Sequence, residues 1–208
     1  MTLHDVTRPL ATGIAVWPGD PPVTTRRIMD LARGEPVTTH AVALGLHAGT
    51  HLDAPSHVVP GGAPVDAVPL EHCCGPAWLV DVGDVDVIRL EHLLPHLPGP
   101  VARLLLRTRA GDRPDGAFPA DWPALDPAAA AHLVAAGLVL LGTDAPSVDA
   151  VDSATLPAHH ALLGGGAVIL ENLALAGVPP GPYELLALPL RLVGLEASPV
   201  RAILRSDR

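Results

Sequence analysis

Short apolar runs and one alternating stretch predict a mixed α/β domain. Residues 38–46 alternate, with Val42, Leu44 and Leu46 on one side, as a half-buried strand does. Further apolar runs too short for helices are typical of buried strands. They occupy residues 78–82, 102–107, 138–141, 167–170, 183–190 and 200–204.

Two helices have recognisable beginnings. Asp126 and Pro127 supply an N-cap side chain and a proline at the first helical position, which predicts a helix through residue 136. Thr155 is predicted to cap another helix that carries His159 and His160. Because strands and helices alternate only in part, the sheet is predicted to be mixed rather than a strict βαβ repeat. Without an internal repeat or linker, residues 1–208 are predicted to form a single domain.

Composition narrows the class of protein. Aromatic residues make up only 2% of the chain, so leucine, valine and alanine must fill the core. No apolar run of 18 residues is free of charge and proline, and we therefore expect no membrane span. The N-terminus lacks a basic start followed by an apolar run, and the adjacent Cys73 and Cys74 lack a CxxC spacing. These features predict a cytoplasmic protein without disulfides.

Net charge, the lack of lysine and missing motifs exclude several functions. The net charge of −9 argues against a nucleic-acid partner, which requires a basic surface. All 13 basic residues are arginine, so neither a Schiff-base lysine nor a phosphate-binding GxxxxGK[ST] loop is present. The sequence also lacks the GxSxG turn of α/β-type serine hydrolases.

Four metal-ligating side chains lie within eleven residues. They are His47, His51, Asp53 and His57. Neutral imidazole and carboxylate are the donors that zinc, manganese and similar divalent ions prefer. A chance cluster of this density is rare in a chain with 11 histidines, so the segment predicts a metal site.

The backbone around these donors is predicted to be irregular. The spacing of His47 and His51 would fit one face of a helix, but Gly49 and Pro55 disfavour a helix here. We therefore predict a strand that ends near His47, a tight turn at residues 49–50 and an irregular segment after it. Turns at strand ends are where rigid scaffolds usually place site residues.

The second half of the chain offers further donors. Glu171 ends an apolar run, where an acid is out of place unless it is paired or metal-bound, or unless the strand emerges at the surface. His159 and His160 lie about a dozen residues earlier on the predicted helix, and only one of them can face Glu171. Asp144 and Asp149 are weaker candidates because aspartates near glycine usually form turns.

Trp17 lies in a loop. The run Trp-Pro-Gly-Asp-Pro-Pro at residues 17–22 has no capacity for helix or strand. Its indole either plugs the core or stacks on a planar ligand, and the sequence leaves both interpretations open.

The combined motifs resemble a known family. Residues 47–57 read HAGTHLDAPSH, which is similar to the HxGTHxDxPxH signature of the bacterial metal-dependent cyclase family. Its kynurenine formamidase branch resembles residues 142–149, 156–160, 169–173, 183–190 and 198–202. The resemblance spans nearly the whole chain in the same order. It implies a swivelling β/β/α fold, a homodimer and an arylformamidase that hydrolyses N-formyl-L-kynurenine to L-kynurenine and formate in tryptophan breakdown.

The resemblance also implies a cofactor and its ligands. It suggests two divalent ions per subunit, usually zinc, with manganese as the alternative. His47, His51 and Asp53 would bind the first ion. Asp53, His159 and Glu171 would bind the second, with Glu171 also reaching the first.

Two further roles follow from the resemblance. His57 would carry protons, and Trp17 would contact the substrate ring. Formamide hydrolysis needs a nucleophile at neutral pH and a proton for the leaving nitrogen. A divalent ion lowers the pKa of water from 15.7 to about 7. An imidazole with a pKa near 6.5 can both take up and return a proton, which suits His57.

Two alternatives remain open. A hydrolase of the same family acting on a cyclic amide such as isatin would share the ligands and differ in the loops around Trp17 and residues 111–123. A non-catalytic domain stabilised by metal is the other alternative. Structural zinc sites are closed four-ligand cages, however, and a His/Asp/Glu set with the additional His57 is unlike them.

Overall fold

A nine-stranded sheet forms the centre of the protein in the computed structural model, which describes residues 1–206. The strands are, in chain order, β1 (Thr2–Asp5), β2 (Thr24–Met29), β3 (Thr39–Ala43), β4 (His51–Asp53), β5 (Cys74–Asp81), β6 (Val87–Ile88), β7 (Arg103–Arg107), β8 (Ala124–Leu125), β9 (Leu140–Thr143), β10 (Val168–Glu171), β11 (Gly181–Leu186), β12 (Ala197–Pro199) and β13 (Ile203–Ser206). The helices are α1 (Leu70–Cys73), α2 (Leu90–Leu93), α3 (Pro127–Ala135) and α4 (Pro157–Gly164).

The sheet is mixed, as predicted. Its strand order is β1-β13-β11-β5-β7-β9-β10-β4-β12. The four strands β5, β7, β9 and β10 are parallel neighbours, and antiparallel strands extend the sheet on both sides. Strands β2 and β3 form a separate antiparallel ribbon.

Buried side chains of β7 alternate between two cores. Leu104 and Leu106 face the side on which α3 and α4 pack, while Leu105 faces the other side. Successive strand residues point to opposite faces, so a strand buried on both sides reads as a continuous apolar run. Each fully buried leucine contributes about 1.5–3 kcal/mol relative to an exposed one.

The sheet curls. Leu52 in β4 and Leu204 in β13 lie far apart in the strand order, yet they belong to one buried cluster. Val6 donates its N–H to the carbonyl of Ala202 and accepts from Ala174, which ties the chain start to both ends of the sheet. None of the helices in residues 1–206 combines the length and hydrophobicity that a membrane span requires.

The helix predicted at Asp126 is confirmed. The Asp126 carboxylate accepts from the N–H groups of Ala128 and Ala129 at 2.8 and 3.1 Å, and α3 runs from Pro127 to Ala135. The other predicted cap is wrong. Leu156, rather than Thr155, occupies the N-cap position of α4, with a left-handed φ of 45° and no side-chain hydrogen bond of its own.

Two predictions about residues 38–57 are also wrong. The alternating stretch forms only the short strand β3, and Val42 is 61% exposed. Leu44 and Leu46 of the same alternating set follow β3 and are half-buried, so the alternation predicts burial only beyond the end of the strand. The segment after Gly49 is not irregular, since His51–Asp53 is a fully buried strand within the main sheet.

Candidate metal centre

The pairing of two strands brings three donors together. Strands β4 and β10 are antiparallel, with His51 opposite Glu171 and Asp53 opposite Ile169. Residues two apart on a strand share a face, so all three donors point to the side where the helices pack. The alternative that Glu171 emerges at the surface is excluded, because it is only 3% exposed. The His51 Nε2 atom lies 3.4 Å from Asp53 Oδ1 and 3.5 Å from Glu171 Oε2.

A glycine turn orients His51. The Gly49 carbonyl lies 2.9 Å from Nδ1 of His51, and because a carbonyl only accepts, Nδ1 must carry the proton. The Nε2 lone pair then faces the two carboxylates. Gly49 has a φ of +62°, and an added Cβ would approach Leu10 to 2.8 Å, so the turn requires glycine.

Asp149 positions His159. Its carboxylate accepts from the N–H groups of Ala158 and His159 at 2.9 and 3.0 Å, and lies 2.7 Å from His159 Nδ1. This side chain supplies the cap of α4 that Thr155 was expected to supply. With Nδ1 engaged, His159 Nε2 lies 3.4 Å from Glu171 Oε1 and 3.8 Å from Asp53 Oδ2.

The remaining two histidines lie closer to solvent. His47 is half-buried, with Nδ1 2.9 Å from Asp53 Oδ1 and Nε2 3.6 Å from Glu196 Oε1. His57 lies on the 3₁₀ turn Pro55–His57, and its ring centroid is 4.4 Å from that of His47 and 5.7 Å from that of His159.

The buried charges of the centre are incompletely satisfied. Within residues 1–206, both oxygens of Asp53 and Nε2 of His51 are buried without a hydrogen-bond partner. Burying an ionised carboxylate without hydrogen bonds is costly unless a cation compensates it. Orphaned oxygens and an imidazole lone pair directed at one point are the arrangement that a divalent cation fits.

The pKa shifts of these groups also indicate that the centre favours positive charge. Burial opposes a charge on His51, but Asp53 and Glu171 raise the pKa of its ring to about 9. Burial likewise opposes a charge on His159, but Asp149 and Asp53 raise its pKa to about 10. Burial also opposes ionisation of Asp53, yet the neighbouring histidines hold its pKa well below the usual range. The cluster therefore favours positive charge at its centre.

Two groups of donors have metal-ligand spacing within residues 1–206. One comprises His47, Asp53 and His57, and the other comprises His51, Asp53 and Glu171, with ligand atoms within 4.8 Å of one another in each group. Asp53 belongs to both, since its Oδ1 lies 2.9 Å from His47 Nδ1 and 3.4 Å from His51 Nε2. The resemblance instead pairs His51 with His47 and His159 with Glu171, so the two groupings differ in how the same cluster is divided.

All seven predicted site residues meet at one cavity or its floor. A cavity of about 340 Å³ is lined by Trp17, His47, His51, His57, His159 and Glu171, and Asp53 lies beneath it. Of the neighbouring histidines on α4, His159 faces the centre and His160 is exposed. Asp144 lies apart from the ligand cluster and accepts from the N–H and hydroxyl of Thr108, and burial raises its pKa to about 7.

Trp17 packs against other aromatic residues and also lines the cavity, so stacking on a ligand stays a prediction. Its ring meets Phe118 and Trp122 edge-on, with centroids 5.5 and 5.9 Å away, while it also lines the cavity. An aromatic wall beside polar donors is typical of a small-molecule site, and such sites measure about 300–1,000 Å³.

The sequence is similar to a known family and to a known protein. Residues 4–150 match the Cyclase family, described as "Putative cyclase". The kynurenine formamidase of Salinibacter ruber is 46% identical over 211 residues, covering 99% of this chain and 98% of that protein.

Two solved structures resemble the whole chain. A potential metal-dependent hydrolase with cyclase activity has a TM-score of 0.84 at 31% identity, covering 99% of this chain and 98% of that chain. Isatin hydrolase A from Labrenzia aggregata, bound to benzyl benzoate, has a TM-score of 0.84 at 26% identity, covering 98% and 93%. The predicted fold class is confirmed, and metal use agrees with these relatives and with the donor clusters. Because the family match covers most of the chain and a near full-length relative is 46% identical, the protein belongs to the cyclase family.

Proposed function

We propose that this protein is an arylformamidase that hydrolyses N-formyl-L-kynurenine to L-kynurenine and formate. The observation that carries the proposal is the buried Asp53 carboxylate, whose two oxygens form no well-aligned hydrogen bond within residues 1–206 although histidine nitrogens lie 2.9 and 3.4 Å from Oδ1. The 46% identical relative named kynurenine formamidase supports the choice of substrate.

The proposal places two divalent ions in the centre. His47, His51 and Asp53 hold one, and Asp53, His159 and Glu171 hold the other. Nitrogen and carboxylate donors suit zinc best, with manganese as the alternative. When bound, such ions lower the pKa of water and stabilise negative charge on the substrate oxygen.

The reaction balances as a simple hydrolysis. Water adds its oxygen to the formyl carbon, the carbon–nitrogen bond breaks, and the aniline nitrogen takes a proton. Formate leaves as the anion, and one proton reaches solvent. The chain must therefore accept a proton from water and deliver one to nitrogen.

His57 is proposed to carry out that transfer. It lines the cavity beside His47 and His159, nearer to solvent than the buried donors. Burial lowers the pKa of His57, so an imidazole nitrogen is neutral at pH 7 and able to accept the proton from water. The same nitrogen then donates the proton to the departing amine.

The cavity wall suits an aryl group. Trp17 contributes an indole held edge-on by Phe118 and Trp122, so its orientation is fixed before substrate arrives. Aromatic pairs contribute about 0.5–1.5 kcal/mol beyond the area they bury. A non-catalytic role is disfavoured because the donors open into this cavity rather than forming a closed cage.

Formate release with defined metals tests the proposal. Zinc-loaded or manganese-loaded protein should release formate from N-formyl-L-kynurenine faster than it opens the ring of isatin. Preferred ring opening would instead assign the cyclic-amide activity. Replacing His57 with alanine should lower kcat by about 100- to 10,000-fold while metal content stays the same. Loss of metal in this variant would make His57 a ligand.

We also propose a cytoplasmic homodimer with a small-molecule substrate and no nucleic-acid or membrane partner. The β2–β3 ribbon and the 3₁₀ turn between its strands expose Ile28, Leu31 and Val42, and exposed apolar groups of this kind often mark protein–protein contacts. The free cysteines are compatible with a reducing compartment. Light scattering should give about twice the mass of the 21.4 kDa chain.

A further inference from the structure

The cavity carries two opposite charges that the proposed hydrolysis does not use. Arg113 and Asp20 both line it, together with Trp17 and the histidines. We propose that Arg113 binds the α-carboxylate and Asp20 the α-ammonium of an amino-acid substrate. The protein would then select aryl formamides that carry a free amino-acid tail. This inference rests on the proposed arylformamidase activity and names the substrate class of the same site.

Arg113 is anchored by three hydrogen bonds to uncharged acceptors. Its Nη1 atom donates to the carbonyls of Ala110 and Asp144 at 2.7 and 3.0 Å, and Nη2 donates to Oδ1 of Asn172. These acceptors are neutral, and no carboxylate of residues 1–206 forms an ion pair with Arg113. A guanidinium has five N–H donors, so two remain for a ligand, and a carboxylate takes two in parallel.

The anchor of Arg113 is itself rigid and lies beside the metal centre. Asn172 directly follows Glu171 and has a left-handed φ of 59°. Its N–H donates to Ala145 at 3.0 Å, and its carbonyl accepts from the Thr50 hydroxyl at 2.7 Å. A guanidinium held in advance loses little freedom when a ligand binds, so its hydrogen bonds contribute more fully to affinity.

Arg113 has charged neighbours of both signs, which are Arg8 on one side of the balance and Asp144 and Asp115 on the other. Burial and the neighbouring Arg8 lower the pKa of Arg113 to about 10, which leaves it charged at pH 7. Arg8 already has a partner, because its Nη1 lies 2.9 Å from Asp115 Oδ1. An incoming carboxylate would therefore meet Arg113 as the open cation of the cavity.

Asp20 is the corresponding open anion. It is partly buried, and no cation of residues 1–206 forms an ion pair with it, whereas Asp115 on the same cavity is neutralised by Arg8. Its N–H donates to the carbonyl of Trp17 at 2.9 Å, so the carboxylate and the indole belong to one turn. A substrate ring against Trp17 would bring an attached ammonium within the same part of the cavity.

Three matched substrates test the inference. They are N-formyl-kynurenine, N-formyl-kynuramine, which lacks only the carboxylate, and 4-(2-formamidophenyl)-4-oxobutanoate, which lacks only the ammonium. For the wild type, kcat/KM should fall by about 10- to 100-fold on loss of either group, as for loss of a hydrogen bond to a charged partner. Equal rates with N-formyl-kynurenine and N-formyl-kynuramine would overturn the role of Arg113 whatever the variants do.

Two variants should give a crossed pattern. Arg113→Gln should abolish the preference for the carboxylate and keep the preference for the ammonium, and Asp20→Asn should do the reverse. Arg113→Lys, which keeps the charge, should retain part of the carboxylate preference. Arg109→Gln is the matched control, because Arg109 lies in the same segment but binds Asp84, Asp86 and Asp121 outside the cavity.

The outcomes separate the two proposals. If wild type hydrolyses none of the three formamides, the arylformamidase activity itself is wrong. If Arg113→Gln folds but slows all three substrates equally, Arg113 only supports the loop and the inference is wrong. Should Arg113→Gln fail to fold, the wild-type comparison and Arg113→Lys decide.

Discussion

The metal centre and the rim of its cavity are built in different ways. The donors His51, Asp53 and Glu171 lie on two paired strands and are at most 3% exposed. The rim consists of loops carrying Trp17, Asp20 and Arg113, which are all partly exposed. The pairing register of β4 and β10 fixes the positions of these donors. At the rim, edge-on aromatic contacts hold Trp17, and backbone carbonyls accept from Arg113. The two carboxylates proposed as metal ligands thus lie on rigid strands, and the residues proposed for selectivity lie on loops.

Changing Asp53 should have the largest effect. Asp53→Asn removes the charge and one oxygen acceptor shared by both proposed ions, so bound metal should fall to near zero. Formate release should drop on the order of 1,000-fold or more, equivalent to about 4 kcal/mol of barrier. Metal analysis and kcat measurement check this. Asp86→Asn, at an exposed aspartate, is the control, and a variant of Asp53 that keeps both ions would contradict the assignment.

A smaller effect is expected at Asp149, which forms a hydrogen bond to the proposed ligand His159. Asp149→Asn weakens the hold on His159 Nδ1, and metal affinity or kcat should fall by about 10- to 100-fold. The matched control is Asp126→Asn, because Asp126 caps α3 in the same way but lies away from the ligands. Equal effects of the two variants on metal affinity would show that Asp149 acts only as a helix cap.

The pH dependence of stability should differ between metal-free and metal-loaded protein. His51 and His159 have folded pKa values of about 9 and 10, above the ordinary 6.5. Their protonation therefore stabilises the metal-free fold fully below pH 6.5, and this stabilisation is lost as the pH rises through 9 to 10. Each kcal/mol lost lowers Tm by about 2–4 °C for a chain of this size.

Thermal unfolding of chelator-treated protein between pH 6 and 10.5 measures this effect. Zinc-loaded protein should lack the decline, since ligation requires deprotonated imidazoles. A metal-free Tm that rises with pH in this range would contradict the assigned pKa directions.

The smallest effect is expected at the rim. Trp17→Leu removes the aromatic wall but leaves the donors in place, so KM should rise about 2- to 10-fold with little change in kcat. Steady-state kinetics with N-formyl-L-kynurenine measure the change. Trp78→Leu is the control, because its indole binds the His96 carbonyl away from the cavity. A fall in kcat as large as that of Asp149→Asn would place Trp17 in the chemistry instead.

The contrast between centre and rim also explains what the sequence could predict. The donors of residues 47–57 are adjacent in sequence, and Glu171 stands out as an acid ending an apolar run. Asp149 was underestimated because its role depends on a loop that returns to α4 from eight residues away. Neither the periodicity nor the spacing of the residues predicts that this loop folds back onto α4. No sequence pattern singles out Arg113 or Asp20. Each stands out only in the fold, where it lines the cavity and has no ion-pair partner within residues 1–206.

Local patterns failed where burial depended on distant layers. Val42 lies in an alternating stretch but is exposed, since no layer of residues 1–206 covers its side chain. His51–Asp53 contains polar residues next to Gly49, yet it is a buried strand because β10 and β12 pair with it on both sides.

The central claim is that divalent ions held by Asp53 and its neighbours perform the hydrolysis. The most direct measurement removes metal with a chelator and then titrates zinc, following bound ion and formate release in the same sample. The account predicts no activity without metal and a recovery that follows occupancy up to two ions per chain. Full turnover of N-formyl-L-kynurenine by metal-free protein would contradict it.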